Sequence, residues 1–115
     1  MDQPCVFCKI ELGTIPAKKI AENEHVFVIA DRAPQAPVHY LIIAKKHYPD
    51  ITAVHPDETE VMASFFLMAQ HLSQLHVSNG AFKLHVNNGA AAGQSVFHVH
   101  MHFLAGEGVS QGWRV

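Results

Sequence analysis

Ten of the 115 residues are histidine, and three of them alternate with apolar residues in Phe97-His98-Val99-His100-Met101-His102-Phe103-Leu104. In an extended chain alternate side chains share a face, so His98, His100 and His102 are expected on one side and Val99, Met101 and Phe103 in the core. At a rise of about 3.3 Å per residue, neighbouring imidazoles on that face stand roughly 6 to 7 Å apart, close enough to surround one phosphate-sized group. Imidazole is the side chain that acts near neutrality as base, nucleophile or metal ligand. Just upstream, Asn88-Gly89-Ala90-Ala91-Ala92-Gly93-Gln94-Ser95 is a glycine- and alanine-rich loop whose backbone N–H groups are expected to approach an anion, with a hydroxyl at its end. The combination favours phosphate chemistry over a catalytic metal site built from all three imidazoles, which remains the alternative. His25, His55, His71, His76 and His85 are read as surface residues.

The elements that must hold these side chains follow from periodicity. Residues 95–104 read as the last strand, 82–86 as a strand before it, and 39–44 as a central strand that is apolar on both faces toward its end. Residues 17–21 and 25–29 form a hairpin about Glu22-Asn23-Glu24, and 31–37, with two prolines, form a loop. Val61, Phe65, Met68, Leu72 and Leu75 recur at spacings of 4, 3, 4 and 3, which predicts one long helix from near Pro56 to about His76 with that stripe in the core. Residues 9–12 close a short helix that Gly13 terminates. The inventory is α+β: about five strands in an antiparallel sheet, one long helix and one short one, in a single domain over residues 1–115.

Composition narrows the function classes. Hydrophobic residues are 49% and charged residues 16%, enough for one packed core. Eight basic against ten acidic residues give a net charge of −2, which offers no basic surface to a nucleic-acid backbone, so nucleic acid is not an expected partner. The apolar clusters are too short to span a bilayer and the start lacks a basic segment followed by an apolar one, so the expected location is the cytoplasm, without a membrane partner. The two cysteines, Cys5 and Cys8, are then read as reduced thiols or a metal knuckle and not as a stapling disulfide.

These residues resemble the signature of the histidine-triad (HIT) nucleotide hydrolases and transferases, in which three histidines alternate with apolar residues and two more apolar residues follow. His98-Val99-His100-Met101-His102-Phe103-Leu104 matches it throughout. The likeness extends along nearly the whole chain, through Cys5-Val6-Phe7-Cys8, Ile15-Pro16-Ala17-Lys18, Asp31 ahead of Pro37-Val38-His39, Ala44-Lys45-Lys46-His47, Val86-Asn87-Asn88-Gly89 and Gly93-Gln94-Ser95. It looks closest to the branch that hydrolyses purine nucleoside 5′-phosphoramidates, homodimers whose antiparallel sheet continues across the two-fold. The resemblance implies that His100 attacks the α-phosphorus to give a nucleotidyl-histidine, that His102 hydrogen-bonds a phosphate oxygen, and that His39 helps orient the group. It implies Ser95 as a hydroxyl near the phosphate or the departing group, Gly93 as a backbone donor and Asn87 as a polar contact. Asp31 would accept from the ribose hydroxyls, and Ile29 with Phe7 or Ile10 would wall the base.

Many members with the same Cys-x-x-Cys hold a structural zinc, which here implies Cys5, Cys8, His47 and His98 as ligands, with the strand bent or twisted where His98 leaves the phosphate face. The C-terminal segment departs from that branch, whose tryptophan sits in a proline-containing terminus reaching toward the partner's site. Trp113 is read either as its counterpart or as a capping hydrophobe. The implied activity is phosphoramidate hydrolysis. The alternatives are hydrolysis of dinucleoside polyphosphates with the same nucleophile, and a nucleotide- or zinc-binding module without turnover.

Overall fold

The computed structural model describes residues 5–110; Trp113 lies outside them. Five strands form one antiparallel sheet, β1 (Ala21–Glu22), β2 (Val26–Ala30), β3 (Val38–Ala44), β4 (Phe82–His85) and β5 (His100–Ala105), in the spatial order β1-β2-β3-β5-β4. Helix α1 (Val6–Glu11) covers one sheet face, and α2 (Thr59–His76) packs on the other. Among the described residues no helix is long and apolar enough to cross a membrane.

Strand alternation sorts the two faces. Val26, Val28, Ile42, Ala44, Met101 and Phe103 join Val61, Phe65, Met68 and Leu72 of α2 in the main core, where removal of apolar surface from water is the dominant stabilising term. Phe27, Ile29, Leu41 and Ile43 point the opposite way and pack with Phe7 and Ile10 of α1. His39, His100 and His102 share this second face. The register puts Ile29, Leu41, His102 and His85 in one row across β2, β3, β5 and β4, with Phe27, Ile43 and His100 in the next.

Several boundaries differ from the periodicity reading. Helix α1 starts three residues earlier than expected because the Cys5 sulfur accepts from the Cys8 N–H at its first turn; Gly13, at φ +81°, ends it as expected. The first strand shrinks to Ala21–Glu22, and the turn falls at Asn23, whose side chain accepts from the N–H groups of His25 and Val26, both at 2.9 Å. Helix α2 begins at Thr59 because the chain turns first, with the Glu58 N–H donating to the His55 carbonyl at 2.8 Å. Leu75 leaves the core stripe and is 61% exposed. The last strand starts at His100, five residues later than expected, because residues 96–98 bend and the Val99 N–H is taken by the Tyr48 carbonyl at 2.8 Å.

Candidate active site

Hydrogen bonds to the histidine rings fix most of their tautomers, and with them the available chemistry. The His98 backbone carbonyl lies 2.7 Å from His100 Nδ1. A carbonyl only accepts, so Nδ1 carries the proton and Nε2 holds a lone pair. The Gln35 backbone N–H donates to His39 Nδ1 at 3.0 Å, which places the proton of neutral His39 on Nε2. That N–H faces His102 Nδ1 at 2.9 Å and Asp31 Oδ2 at 3.3 Å. With His102 Nδ1 accepting, neutral His102 presents an N–H donor at Nε2. The site therefore pairs a lone-pair imidazole with a donor imidazole, their rings 5.3 Å apart.

Burial keeps His102 neutral. Desolvation, reinforced by the nearby imidazoles of His100, His39 and His85 and opposed by the Asp31 carboxylate, pushes it down to about 4. His39 is 5% exposed, so its ring is held by packing as well as by its partners.

The same tautomer argument tells against a metal at Asp31, His39 and His102, whose donor atoms also cluster closely enough to be considered. His39 would have to give up the Nε2 proton that the Gln35 N–H obliges it to carry. The group is better suited to proton and hydrogen-bond chemistry.

Two clefts flank the histidines. The larger, about 570 Å³, is lined by Phe7, Ile10, Ile15, Ile29, Asp31 and Leu41 among others, so the apolar walls expected for a base and the acid expected for a ribose open onto one space. The second, about 340 Å³, is lined by Asp31, Ala33, Gln35, His39, His85, Asn87, His102 and Leu104. Asp31 belongs to both, and its Oδ1 accepts from the Ala33 N–H at 2.8 Å. The Phe7 ring stands edge-on to His100, centroids 5.2 Å apart.

The glycine loop does not have the form expected of an open anion cradle. The Ala92 and Gln94 N–H groups both donate to the Gly89 carbonyl, and the Gly93 N–H donates to the Ala90 carbonyl at 3.0 Å. This corrects the expectation that Gly93 offers a backbone donor, because the 3₁₀ turn at Ala90–Ala92 consumes it. Glycine is required there by φ of +93° and by the Asn87 amide, which a Cβ would meet at 3.2 Å. The Asn87 amide in turn donates to the Ala92 carbonyl at 2.6 Å. Ser95 is exposed and lines a neighbouring cavity with Cys5, Val6, His47 and Phe97.

Two contributors escaped the sequence reading. Gln94 is buried and braces the loop, accepting from the Gly89 N–H at 2.7 Å and donating to the Pro49 and Val96 carbonyls. An amide side chain next to Gly93 was the only signal for it. His85 is exposed, as read from the sequence, and it also lines the second cleft opposite His102; its position two residues before Asn87 could have indicated the second part.

Cys5, Cys8, His47 and His98 form a separate cluster whose ligand atoms all lie within 4.8 Å of one another. His98 is fully buried, and its Nε2 sits 2.6 Å from the Ala44 carbonyl, so the proton is on Nε2 and Nδ1 faces the cluster with a lone pair. Nδ1 is 3.3 Å from Cys5 Sγ, 3.6 Å from Cys8 Sγ and 3.0 Å from His47 Nδ1, and His47 Nδ1 is 3.3 Å from Cys8 Sγ. Tetrahedral zinc bound to two sulfurs and two nitrogens sets donor separations of roughly 3.3 to 3.8 Å. The three nitrogen–sulfur distances fall in that range and the nitrogen–nitrogen distance, 3.0 Å, lies a few tenths of an ångström inside it; the donor set suits the metal, and the His98 N–H bonded to a carbonyl is the usual outer support of a metal-bound imidazole. Burial and the neighbouring Cys5 thiol push the Cys8 thiol up to about 11, so a metal would bind by displacing protons.

The HIT domain family model matches residues 13–109. A HIT-like protein of Chlamydia pneumoniae is 43% identical over 102 residues, covering 88% of this chain and 92% of its own length. The adenylylsulfatase HINT3 of Arabidopsis thaliana is 38% identical over 104 residues, which cover 90% of this chain and 53% of that protein. Among solved structures, a HIT family hydrolase from Legionella pneumophila superposes with a TM-score of 0.84 at 39% identity, covering 90% of this chain and 93% of that one. A zinc-bound histidine triad family protein from Mycobacterium smegmatis gives 0.78 at 33% identity, covering 94% and 81%.

Proposed function

The chain belongs to the HIT domain family, and from that footing we propose that it hydrolyses purine nucleoside 5′-phosphoramidates at the P–N bond. Family membership itself supports a nucleotide hydrolase; the phosphoramidate substrate is our reading. The observation that carries it is the 2.7 Å bond from His100 Nδ1 to the His98 carbonyl, which leaves Nε2 unprotonated beside the donor ring of His102.

Purine stacks into the cleft of Phe7, Ile10 and Ile29, and the Asp31 carboxylate accepts from the ribose hydroxyls. His100 Nε2 attacks the α-phosphorus; the P–Nε2 bond forms as the P–N bond of the substrate breaks, and the amine takes up one proton as it leaves. Developing charge on the phosphoryl oxygens is met by the His102 N–H, with Asn87 and the Ser95 hydroxyl assigned the remaining polar contacts and Gly93 allowing close approach. Water then attacks phosphorus and releases the nucleoside monophosphate, so each turnover adds hydroxyl to phosphorus and hydrogen to the amine. Holding His39 by Gln35, and His102 by His39, sets the donor in place before substrate arrives.

The Cys5, Cys8, His47 and His98 set is assigned a structural zinc, which has no open position for substrate. Through Cys5, Cys8 and His98, such a site would tie the start of α1 to the residues leading into β5. The chain is further assigned a homodimer with the sheet continued across the two-fold.

Hydrolysis of an adenosine 5′-phosphoramidate and of a diadenosine polyphosphate, compared by kcat/KM, tests the substrate class. The phosphoramidate should be preferred, and equal or reversed rates would remove the assignment. His100→Ala should abolish turnover while binding of adenosine monophosphate persists; surviving turnover would take the nucleophile elsewhere.

A further inference from the structure

The proposed chemistry leaves His85 unused, although it stands in the reaction cleft. It pairs with His102 across β4 and β5, the two rings meet edge-on with centroids 5.6 Å apart, and it lines the cleft with His39, Asn87 and His102. Its row across the sheet runs Ile29, Leu41, His102, His85. Ile29 belongs to the base cleft at one end of that row. A nucleotide with its base against Ile29 and its phosphorus over β5 must therefore direct whatever lies beyond phosphorus toward β4, and His85 is the side chain that β4 presents in that row.

The cleft is also polarised. Among the described residues lining it, Asp31 is the sole acid, and that carboxylate is engaged by the Ala33 N–H and by His39. The β4 end carries His85, with Lys83 two residues earlier on the same strand face. An imidazole there is a donor when neutral and a cation with two donors when protonated. Resting on the phosphoramidase reading above, we propose that His85 is a specificity residue that selects substrates whose departing group carries an anion, a carboxylate or a sulfate, close to the scissile bond.

The groups facing His85 set the pH behaviour of this preference. They are His102 of β5, His39 of β3, Asp31 after β2, and Lys83 on its own strand. Preference for an anionic departing group should be larger at pH 6 than at pH 9, because a protonated imidazole holds an anion more strongly than a neutral one.

The test compares kcat/KM for two matched substrates, the adenosine 5′-phosphoramidate of an amino acid with a free carboxylate and that of the same amino acid as its amide. Adenosine 5′-phosphosulfate is measured alongside. An exposed ion pair predicts about a threefold to fivefold preference for the carboxylate at pH 6. His85→Gln should bring the ratio toward one, and His85→Lys should keep the preference while removing its pH dependence. A loss in His85→Gln larger for the sulfate than for the carboxylate, relative to the amide, names an inorganic anion as the one selected; the converse names an amino-acid carboxylate. An unchanged ratio in His85→Gln, or a ratio independent of pH in the unmutated chain, would overturn the proposal. The unmutated chain cleaving the amide substrate without discrimination defeats this inference alone, whereas cleavage of none of the three defeats the phosphoramidase reading with it.

Discussion

Replacing His39 with leucine tests whether the histidines act as a chain of fixed tautomers. Leucine keeps an apolar side chain at a position only 5% exposed, but it removes the acceptor of the Gln35 N–H at 3.0 Å and the donor to His102 Nδ1 at 2.9 Å. Losing these partners should cost about 1 to 3 kcal/mol of stability. The effect on turnover has a separate origin. Without a donor at Nδ1, His102 divides between its two tautomers, and the one with a lone pair at Nε2 faces the phosphoryl oxygens with the wrong group. Restoring the donor form then costs about 1 to 3 kcal/mol, which converts to a fall in kcat/KM of about 5- to 150-fold. His39→Gln can still reach His102 with an N–H and should recover part of the loss. The assay is kcat/KM on an adenosine 5′-phosphoramidate together with thermal unfolding. A variant that melts earlier yet keeps kcat/KM within about twofold would refute the tautomer argument and leave His39 a packing residue.

Three further outcomes can be checked directly. Protein purified without chelator should hold near one zinc per chain, and Cys5→Ser should lower both metal content and melting temperature, by metal analysis and calorimetry. His102, pushed down to about 4, binds fewer protons in the folded than in the unfolded chain, so its contribution is complete above about pH 6.5 and is lost as pH falls toward 4; urea unfolding should show about 2 kcal/mol lost between pH 7 and pH 5 on its account, and His102→Gln a shallower fall. Gly106→Ala places a Cβ 2.8 Å from Pro37 at φ of +108°, and should destabilise by about 1 to 3 kcal/mol, lowering the melting temperature by several degrees.

The parts legible in the sequence are those that a period expresses. Alternation placed Met101 and Phe103 in the core and His100 and His102 on the opposite face, and the four-three spacing identified α2. What escaped depends on contacts between residues far apart in the chain. Leu75 continues the helical stripe but nothing among the described residues covers it, which periodicity cannot reveal. The late start of β5 arises because His98 turns into the cysteines about 90 positions earlier, so alternation failed at the residue with a competing partner. The resemblance had implied that bend; composition and period had not. Gly93 shows a related limit, since a glycine-rich loop can expose its N–H groups or spend them within itself, and only the fold decided between the two.

His98 links the two halves of the site. Its ring Nδ1 faces Cys5, Cys8 and His47, its Nε2 donates to the Ala44 carbonyl on β3, and its own carbonyl accepts from His100 Nδ1. One buried residue therefore fixes the chain at three points immediately before the nucleophile, and the backbone group that sets the His100 tautomer cannot rotate unless the cluster lets the ring go. Two residues further along β5, His102 is held by His39, at the other end of β3 from Ala44, and through it by Gln35. The lone pair and the donor are thus oriented by separate supports from the two ends of β3, an arrangement in which neither depends on a bound substrate for its proton placement. Such placement in advance is what lets a catalytic group act without reorganisation at the moment of reaction.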